Sequence, residues 1–507
     1  MKCTRNRFQN DPSLHRRHPG GMGAVRHARL GAFSRRLGAT LLAFACGTGA
    51  AFAAHPGDID TGFGLGGYVT NDFFGTDEQI HAVAPMRDGR FVVTGKVTGS
   101  NVTGNGGSEN VAVARYLPNG ALDDSFGSGG LFQLDVDSAP DEGRAVRVLS
   151  DGSVLVAGTL STAAHADYGL IKLRPDGSLD TTFGEADAGS ARKGYVRLDI
   201  GGPQVHDEAY AMAVQRNGKI VLAGITRVFH DGFWYGQVAV ARFTADGVPD
   251  TTFAGGQGHI VLAPFFGAAG DTLTTIALDQ AGNLPADNRI VVGGYTFGRN
   301  TAFLARLTAD GAVDTTFNTT GRVTLQAATS GGVSTGLSML SAARLTRDGR
   351  IVVVGEGSDR GMAVMRFNAN GSLDTTFGQN GRSLIKFSGI SDEDIPMALA
   401  LQGNGRIVAA GSATNRATGA AHQDFLVGRW NADGSVDTTF GEQGLKVAQV
   451  STVEDGAYAV AVEVSGNILA GGYTSQPNVA PRDFALLRLL GDPDRIFANG
   501  FDAPPGF

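Results

Sequence analysis

Acidic residues recur just ahead of short apolar segments along this chain, and they are the first candidates for chemistry. They occur as Asp77-Glu78, Asp141-Glu142, Asp207-Glu208, Asp271, Asp392-Glu393-Asp394 and Glu454-Asp455. Clustered carboxylates attract cations and basic partners, and Ca²⁺ takes oxygen ligands of this kind. The sequence therefore makes these acidic loops a candidate binding surface, with Ca²⁺ as the candidate ion. The competing interpretation is that each acidic residue only caps its own loop in water.

A second candidate surface is an aromatic segment that holds Phe229, His230, Phe233, Trp234 and Tyr235. Aromatic side chains crowded on a loop stack on sugars or anchor partner proteins. Phe233, Trp234 and Tyr235 are therefore candidate contact residues. The alternative is that the segment covers the bottom of the fold.

Sequence signatures of catalysis are missing from the chain. It contains no G-x-S-x-G nucleophile motif, no H-E-x-x-H zinc motif and no P-loop. The histidines that follow residue 54 are scattered and show no metal-ligand spacing. A catalytic site would have to be assembled from distant segments, so the sequence favours a binding module and leaves an enzyme as the alternative.

A repeat carries these candidate residues, and its most regular part is Leu373-Asp374-Thr375-Thr376-Phe377-Gly378. The Phe residues of its eight copies are 57 to 70 residues apart. A period of this size indicates a repeat architecture. The Asp and Phe residues of the eight copies are Asp60 and Phe63, Asp123 and Phe126, Asp180 and Phe183, Asp250 and Phe253, Asp314 and Phe317, Asp374 and Phe377, Asp437 and Phe440, and Asp494 and Phe497.

Each repeat contains four short apolar segments, which we name strands a to d. In the first repeat they are Gly67 to Thr70, Ile80 to Met86, Phe91 to Gly95 and Val111 to Tyr116. An Asp-Gly or Asn-Gly dipeptide between strands b and c predicts a tight antiparallel hairpin. Strand c is nearly all apolar and ends in Gly, and strand d ends in one Arg or Lys. Seven such units predict an all-β fold, a seven-bladed β-propeller of four-stranded antiparallel blades.

The Asp-Thr-Thr-Phe segment is predicted to join strand d of one blade to strand a of the next. Its Asp would fix a turn by hydrogen bonding to nearby backbone, and its Phe would fill the apolar seam between two blades. The alternative is a calcium loop through Asp176 and Asp180, with only Ser178 between them as a further oxygen ligand. If strand a is innermost, the acidic loops would ring one mouth of a central channel.

The repeat resembles that of the bacterial delta-60 repeat family. The resemblance rests on an R-x-x-x-D-G-S-L-D-T-T-F-G segment, matched closely by Arg366 to Gly378, and a D-G-[KR]-I-V-V-x-G segment, matched by Asp348 to Gly355. It extends from Gly57 to about Phe501. The resemblance implies a secreted or surface β-propeller-like protein without an assigned activity, and it transfers no catalytic residues.

Residues 1–54 have the features of a secretory leader. Arg35-Arg36 precedes an apolar run, Leu37 to Ala45, and a small-residue end that predicts cleavage after Ala53 or Ala54. We therefore expect an extracytoplasmic protein that is periplasmic, surface-bound or secreted. Removing the leader's nine basic residues and one acidic residue from the totals of 42 and 49 leaves 33 and 48, a net charge of −15. Both cysteines, Cys3 and Cys46, lie in the leader, so the mature chain has no thiol.

We expect three segments: the leader at 1–54, a single propeller domain at 55–501 and a short tail at 502–507. A strongly acidic chain repels phosphate backbones, so nucleic acid is not an expected partner. No apolar run after the leader reaches the ~20 residues that span a bilayer. The sequence predicts a monomeric, exported binding or scaffold module that contacts an extracellular protein or glycan. The alternative is a propeller enzyme, a lyase or hydrolase of extracellular polysaccharide, with its site in the central channel.

Overall fold

A computed structural model describes residues 54–492 except 100–107, 187–190, 266–269, 280–287, 297–300, 327–328, 331–332, 335, 358–359, 388–392, 416–421 and 477–478. The predicted leader up to residue 53, Asp392, the last repeat copy with Asp494 and Phe497, and the tail at 502–507 lie outside the described residues. Among the described residues, no helix is long and apolar enough to cross a membrane.

The described chain forms seven four-stranded antiparallel sheets, which are the blades of a propeller. Blade 1 contains β2 (Glu78–Pro85), β3 (Phe91–Thr98), β4 (Glu109–Tyr116) and β5 (Leu131–Leu134). Blade 2 contains β6 (Glu142–Val148), β7 (Val154–Ser161), β8 (Ala166–Leu173) and β9 (Tyr195–Leu198). Blade 3 contains β10 (Asp207–Val214), β11 (Ile220–His230), β12 (Phe233–Phe243) and β13 (His259–Val261). Blade 4 contains β14 (Asp271–Asp279), β15 (Arg289–Thr296), β16 (Thr301–Leu307) and β17 (Arg322–Gln326).

The remaining three blades include the one that closes the ring. A minor hairpin of β18 (Thr329–Ser330) and β19 (Val333–Ser334) precedes blade 5. Blade 5 contains β20 (Leu337–Leu345), β21 (Ile351–Gly357), β22 (Met362–Phe367) and β23 (Arg382–Ile385). Blade 6 contains β24 (Asp394–Leu401), β25 (Ile407–Asn415), β26 (His422–Trp430) and β27 (Leu445–Ala448). Blade 7 contains β28 (Asp455–Val462), β29 (Ile468–Gln476), β30 (Val479–Leu489) and, from the other end of the chain, β1 (Tyr68–Asn71).

The predicted fold class, an all-β seven-bladed propeller with four-stranded antiparallel blades, is confirmed. The position predicted for strand a is wrong. Strand b is the first and innermost strand, because each one contacts the strand b of both neighbouring blades. Strand a is the fourth and outermost strand of the preceding blade, so the Asp-Thr-Thr-Phe segment joins the third and fourth strands within one blade.

The repeat Phe fills the seam between blades, as the sequence predicts. Phe253, for example, is fully buried among side chains of blades 3 and 4. A Cβ on Gly311 of blade 4 would lie 2.6 Å from this ring, so the turn that covers the Phe requires glycine. The seven described repeat phenylalanines are each at most 1% exposed, and they occupy all seven seams: Phe63, Phe126, Phe183, Phe253, Phe317, Phe377 and Phe440.

The repeat Asp holds the Arg that ends the third strand, and this Arg stacks on the repeat Phe. In blade 4, Nε of Arg306 donates to Oδ2 of Asp314 at 2.7 Å, and the guanidinium lies 4.7 Å from the ring centroid of Phe317. The other oxygen of Asp314 accepts hydrogen bonds from the amide and hydroxyl of Thr316 at 3.0 and 2.6 Å. Nη1 of Arg306 donates to the carbonyl oxygen of Ala369 in the next blade. We call this Arg–Asp–Phe arrangement the clasp, and it occurs in every blade except blade 2, where Lys172 replaces the Arg.

Candidate functional site in the central channel

The innermost strands line a central channel with a cavity volume of about 820 Å³. Each innermost strand contains a β-bulge at which a residue facing the channel has no partner on the second strand. β20 has a further bulge at Ser338, which is not among the residues that line the channel. Bulges redirect a side chain and recur next to functional sites. The seven bulged residues, which we call the bulge ring, all line the channel: His81, Arg144, Tyr210, Thr274, Ser341, Met397 and Tyr458.

A glycine on the second strand makes each bulge possible. In blade 3, a Cβ on Gly224 would lie 1.9 Å from the carbonyl oxygen of Glu208, far inside contact distance. The Gly that ends strand c in every repeat therefore has a physical cause. The corresponding contact lies at 1.8–2.0 Å for all seven of these glycines: Gly95, Gly158, Gly224, Gly294, Gly355, Gly411 and Gly472.

His81 is a bulge-ring residue whose tautomer is fixed by the backbone. Its Nδ1 lies 3.1 Å from the carbonyl oxygen of Gly143 and 3.2 Å from Oε1 of Glu142. Because a carbonyl oxygen can only accept, Nδ1 carries the proton and Nε2 is the basic nitrogen. Burial, followed by the charge of Arg144, lowers the pKa of His81 well below its usual value. The ring is therefore neutral at pH 7.

Arg144 and Tyr210 are held by two acids of the acidic loops. Nη2 of Arg144 lies 2.5 Å from Oε2 of Glu142, and its guanidinium lies 5.5 Å from the ring centroid of Tyr210. The hydroxyl of Tyr210 donates to Glu208, which also accepts from Arg227 at 2.8 Å. These carboxylates therefore fix the positions of a cation and a phenol at one level of the channel.

Tyr458 completes the aromatic side of the bulge ring. Its ring centroid lies 5.7 Å from that of His81 and 5.4 Å from that of Tyr473. Burial is the largest cause that raises the pKa of both tyrosines, that of Tyr473 to about 12. Both hydroxyls therefore keep their protons at neutral pH and can donate hydrogen bonds.

Two further arginines, Arg147 and Arg344, line the channel three residues beyond the bulge ring on their strands. Among the described residues, no acidic side chain forms an ion pair with either, and Arg344 donates only to the backbone oxygen of Ala343 at 2.9 Å. Enclosure by protein lowers the pKa of both guanidinium groups, and the charge of Arg147 lowers that of Arg344 further. Arg344 is exposed to the channel and Arg147 is half-buried, so two like charges face the channel without an acid beside them, and an anion would be attracted to both.

The channel is positively charged although the protein as a whole is acidic. Among the described residues, five arginines and no Asp or Glu line it. The acids of the loops lie beside or behind the bulge ring rather than in the cavity. The five lining arginines are Arg144, Arg147, Arg216, Arg344 and Arg347.

In six of the seven blades, an acid at the start of the innermost strand caps the loop before it, and it does so in the protein interior. Asp455 accepts backbone hydrogen bonds from Val450 and Ser451 at 2.8 and 2.7 Å. Burial raises the pKa of Glu78 and Asp141 to about 7, and it also raises the pKa of Asp207 and Asp271. Six acids of this kind are each at most 2% exposed: Glu78, Asp141, Asp207, Asp271, Asp394 and Asp455.

The other loop acids have separate surroundings. Asp77 lies 3.5 Å from Lys96 and Glu454 is exposed, whereas Glu142 and Glu208 hold the bulge ring as described above. Among the described residues, none of the predicted acids belongs to a group of three metal-ligating side chains. The geometry therefore supports loop capping rather than a shared Ca²⁺ site.

The surroundings of Asp176 and Asp180 do not support the alternative calcium loop. Asp176 accepts from the amide and hydroxyl of Ser178 at 2.9 and 2.7 Å. Asp180 accepts from Thr182 and lies 3.0 Å from Nζ of Lys172. Each carboxylate therefore fixes its own turn.

The aromatic segment forms the end of a long hairpin between β11 and β12, which turns at Asp231 and Gly232. Phe229, Phe233 and Trp234 are 62%, 66% and 51% exposed. Trp234 pairs with Phe229 across the hairpin, with ring centroids 5.2 Å apart, and Tyr235 is half-buried. These rings face solvent, so they do not cover the core, and the hairpin keeps its place as a candidate contact surface.

Sequence reasoning missed the bulge ring and the channel arginines. It placed strand a on the channel wall and therefore looked for function in the loops. Two signals could have identified the ring: the Gly that ends every strand c, and the varied residue three positions after the acid that begins strand b. Position 144 after Asp141 and position 210 after Asp207 follow this rule.

Six stretches of the chain match a family described as "Domain of unknown function (DUF5122) beta-propeller": residues 87–126, 149–183, 215–253, 286–317, 346–377 and 402–440. No curated protein matches the sequence.

Solved structures that are similar to the chain share little sequence with it. Sqt1 from Chaetomium thermophilum is 11% identical with a TM-score of 0.41, covering 86% of this chain and 98% of that chain. The WD40 domain of Toxoplasma gondii coronin is 7% identical with a TM-score of 0.40, covering 84% and 87% of the two chains. A luciferin-regenerating enzyme is 10% identical with a TM-score of 0.33, covering 76% and 96%.

Proposed function

We propose that this chain, a β-propeller that carries repeats of a domain of unknown function, is an exported binding module whose central channel receives an anionic ligand. One observation supports the proposal most directly: within the described part of the chain, five arginines and no carboxylate line the channel. Arginine binds carboxylate, sulfate and phosphate groups through paired hydrogen bonds. Export rests on the predicted leader at residues 1–54.

The ligand class that fits best is an acidic glycan. Arg147 and Arg344 supply positive charge without a protein counter-ion, while Tyr210 and Tyr458 offer aromatic surface and hydroxyl donors. A pocket with a few convergent polar groups and apolar walls is typical of small-ligand sites. The volume of about 820 Å³ admits a short oligosaccharide rather than a macromolecule.

Calorimetric titration of the mature protein with an oligogalacturonate and a neutral maltooligosaccharide of equal length tests this function. We expect the acidic oligosaccharide alone to bind, with an affinity that falls as salt rises. The double variant Arg147→Gln and Arg344→Gln is expected to lose at least about tenfold in affinity without loss of Tm, because each missing charge contact is worth at least about 1.4 kcal/mol.

The control is Trp234→Ala, which alters the exposed hairpin and leaves the channel intact. Unchanged binding by this control supports the channel. Unchanged binding by the arginine variant would exclude it, and loss of binding by Trp234→Ala alone would move the ligand to the hairpin.

A lyase of acidic polysaccharide is the second candidate, and the bulge ring favours it. Neutral His81 has a basic Nε2 and lies near Tyr458, while Arg144, whose charge helps to lower the pKa of His81, lies over Tyr210. In such an elimination, a base removes the proton next to a uronate carboxylate, the arginine neutralises that carboxylate, and a tyrosine protonates the departing oxygen as a C=C bond forms.

Incubation with polygalacturonate separates the enzyme from the binding module. An enzyme releases unsaturated products with new ultraviolet absorbance, and His81→Ala abolishes the signal while oligosaccharide affinity stays within a few-fold. Binding without any such product supports the binding module alone.

A further inference from the structure

A cluster of one histidine and two carboxylates lies outside the channel, at the edge of blade 2. It contains His165 and Asp167 at the start of β8 and Asp199 just after β9. One ligand atom from each side chain lies within 4.8 Å of the others. Nε2 of His165 is 3.4 Å from Oδ1 of Asp167.

The sheet register brings these side chains together. His165 and Asp167 are two residues apart, and alternate residues of a strand face the same side of a sheet. Because Tyr168 pairs with Leu198, the next position places Asp167 opposite Asp199. Like charges directly across a sheet are destabilising unless a cation lies between them.

Asp167 supplies the second observation that points to an ion. Its side chain is only 6% exposed, and its Oδ1 accepts no hydrogen bond. An unsatisfied buried carboxylate oxygen is rare in native proteins. Burial raises the pKa of Asp167 to about 6, with His165 opposing this shift and Asp199 adding to it. The nearby Arg197 donates to Asp137 at 2.9 Å instead.

We propose that His165, Asp167 and Asp199 bind one divalent transition-metal ion, with Zn²⁺ as the best fit. An imidazole nitrogen with two carboxylate oxygens suits Zn²⁺, whereas Ca²⁺ and Mg²⁺ take oxygen ligands. The hydroxyl of Thr162 lies 3.4 Å from Nδ1 of His165, so it can orient the ring with Nε2 toward the ion. Asp199 is exposed and leaves an entry path from solvent.

Blade 6 provides a natural comparison at the same place in its sheet. His422 and Asp424 occupy the positions of His165 and Asp167, with Nε2 of His422 3.5 Å from Oδ1 of Asp424. The position of Asp199 is taken by Gln449, whose Nε2 lies 3.2 Å from Nε2 of His422. An amide cannot replace the charge of a carboxylate, so we expect blade 2 and not blade 6 to hold the ion.

The test is a zinc titration of the mature chain after removal of any polyhistidine tag, followed by calorimetry and by Tm. We expect one Zn²⁺ per chain, a saturable rise in Tm, and no comparable rise with Ca²⁺ or Mg²⁺. Asp199→Gln copies blade 6 and is expected to abolish the zinc-dependent rise. Because Asp199 is exposed, loss of the bond that its Oδ1 accepts from the amide of Gly202 at 2.6 Å is expected to lower the metal-free Tm only slightly. Gln449→Asp is the converse variant and is expected to raise the stoichiometry from one to two.

Either of two results would overturn the site. The first is a wild-type protein whose Tm and calorimetric signal do not respond to Zn²⁺. The second is an Asp199→Gln variant that binds Zn²⁺ with the wild-type affinity and stoichiometry. Since Asp199 is exposed, this variant is expected to fold, and its metal-free Tm checks that it has.

Discussion

At the scale of single residues, the clasp explains why the repeat segment is so regular. Its Asp accepts hydrogen bonds both from the turn that follows it and from the Arg that ends the third strand. Blade 2 is the exception, because Lys172 replaces the Arg. Its Nζ lies 3.0 Å from Oδ2 of Asp180 and 5.7 Å from the ring centroid of Phe183. A lysine cannot also reach the next blade as the planar guanidinium does.

Lys172→Arg is therefore expected to stabilise the protein. The new guanidinium can add the hydrogen bond to the backbone of blade 3 that its counterparts make to their next blades. The gain should be about 1 kcal/mol in the free energy of unfolding, the usual value of one such bond. Urea unfolding measures it.

Arg306→Lys is the matched control, since it makes the opposite change in blade 4. It should lower the free energy of unfolding by about 1–2 kcal/mol, because it removes the bond to Ala369. If both variants unfold at the wild-type urea concentration, the link between blades contributes nothing.

Asp271 shows how a buried loop cap couples stability to pH. It is 2% exposed, its Oδ2 accepts from the amide of Phe265 at 3.0 Å, and its Oδ1 accepts no hydrogen bond. Burial raises its pKa to about 6, from 3.8 in the unfolded chain, although the bond from Phe265 opposes the shift. The folded state therefore binds more protons than the unfolded state between these values, and this group lowers stability as pH rises from about 4 to 6.

Asp271→Asn should raise the free energy of unfolding at pH 8 by roughly 1–3 kcal/mol, because about 1.4 kcal/mol accompanies each unit of pKa shift. The amide can keep the bond from Phe265 and place its NH₂ where Oδ1 has no donor. At pH 4 the variant should match the wild type. Urea unfolding at both pH values checks this, and an equal change at both would contradict the assigned cause.

At the scale of elements, the bulge of the innermost strand depends on the glycine opposite it on the second strand. Gly294→Ala would place a Cβ 2.0 Å from the carbonyl oxygen of Thr272 in blade 4. The strand must then shift, so we expect a loss of about 1–3 kcal/mol, the usual cost of overpacking. Thermal unfolding measures this loss.

Gly62→Ala is a suitable control for that variant. The nearest atom to its new Cβ would be a carboxylate oxygen at 3.3 Å. Its effect should stay within about 0.5 kcal/mol, as for an ordinary surface change. Equal losses for both variants would show that the bulge does not require the glycine.

The strands and blades were largely predictable from the sequence. Repeat spacing, apolar segments and Asn-Gly or Asp-Gly turns predicted seven four-stranded blades, and the apolar Phe predicted the seams. The blade to which strand a belongs was not predictable, because a repeat read from Gly67 or from Ile80 contains the same hairpins. The pairing of strand a with the strand d that precedes it decides this in six blades, and the pairing of β1 with β30 decides it in blade 7.

The candidate site was less predictable than the fold, for a related reason. Arg147 and Arg344 are ordinary charged residues in their own repeats, and their meaning appears only when two separate blades face one channel. His165 and Asp199 are likewise brought together by strand pairing, so their sequence spacing carries no metal signature.

At the scale of the whole molecule, the ring closes by the same devices that join its internal blades. Arg488 of β30 donates to Asp60 at 2.9 Å and lies 4.4 Å from the ring centroid of Phe63. Phe63→Ala should therefore cost about 3–5 kcal/mol, as for a buried Phe in any core. Its matched control is Phe317→Ala at an internal seam, with an equal expected loss.

Chemical unfolding of both variants compares the two seams. If Phe63→Ala alone lowers the free energy of unfolding by less than about 1 kcal/mol, the closing seam contributes little to stability. The sequence also predicts that deletion of residues 494–507 lowers stability. That last copy lies outside the described residues, while the first seven copies already fill all seven seams.

The pairing of β1 with β30 has a consequence for the order in which the protein is made. The strand that completes blade 7 is synthesised first, yet it gains its partner last. A chain that stops before β30 leaves β1 without a partner and blade 7 unbuilt, and open strand edges invite aggregation. The ring therefore closes only after the last blade has been synthesised. A truncated chain differs from the full chain in its unpaired strand edges.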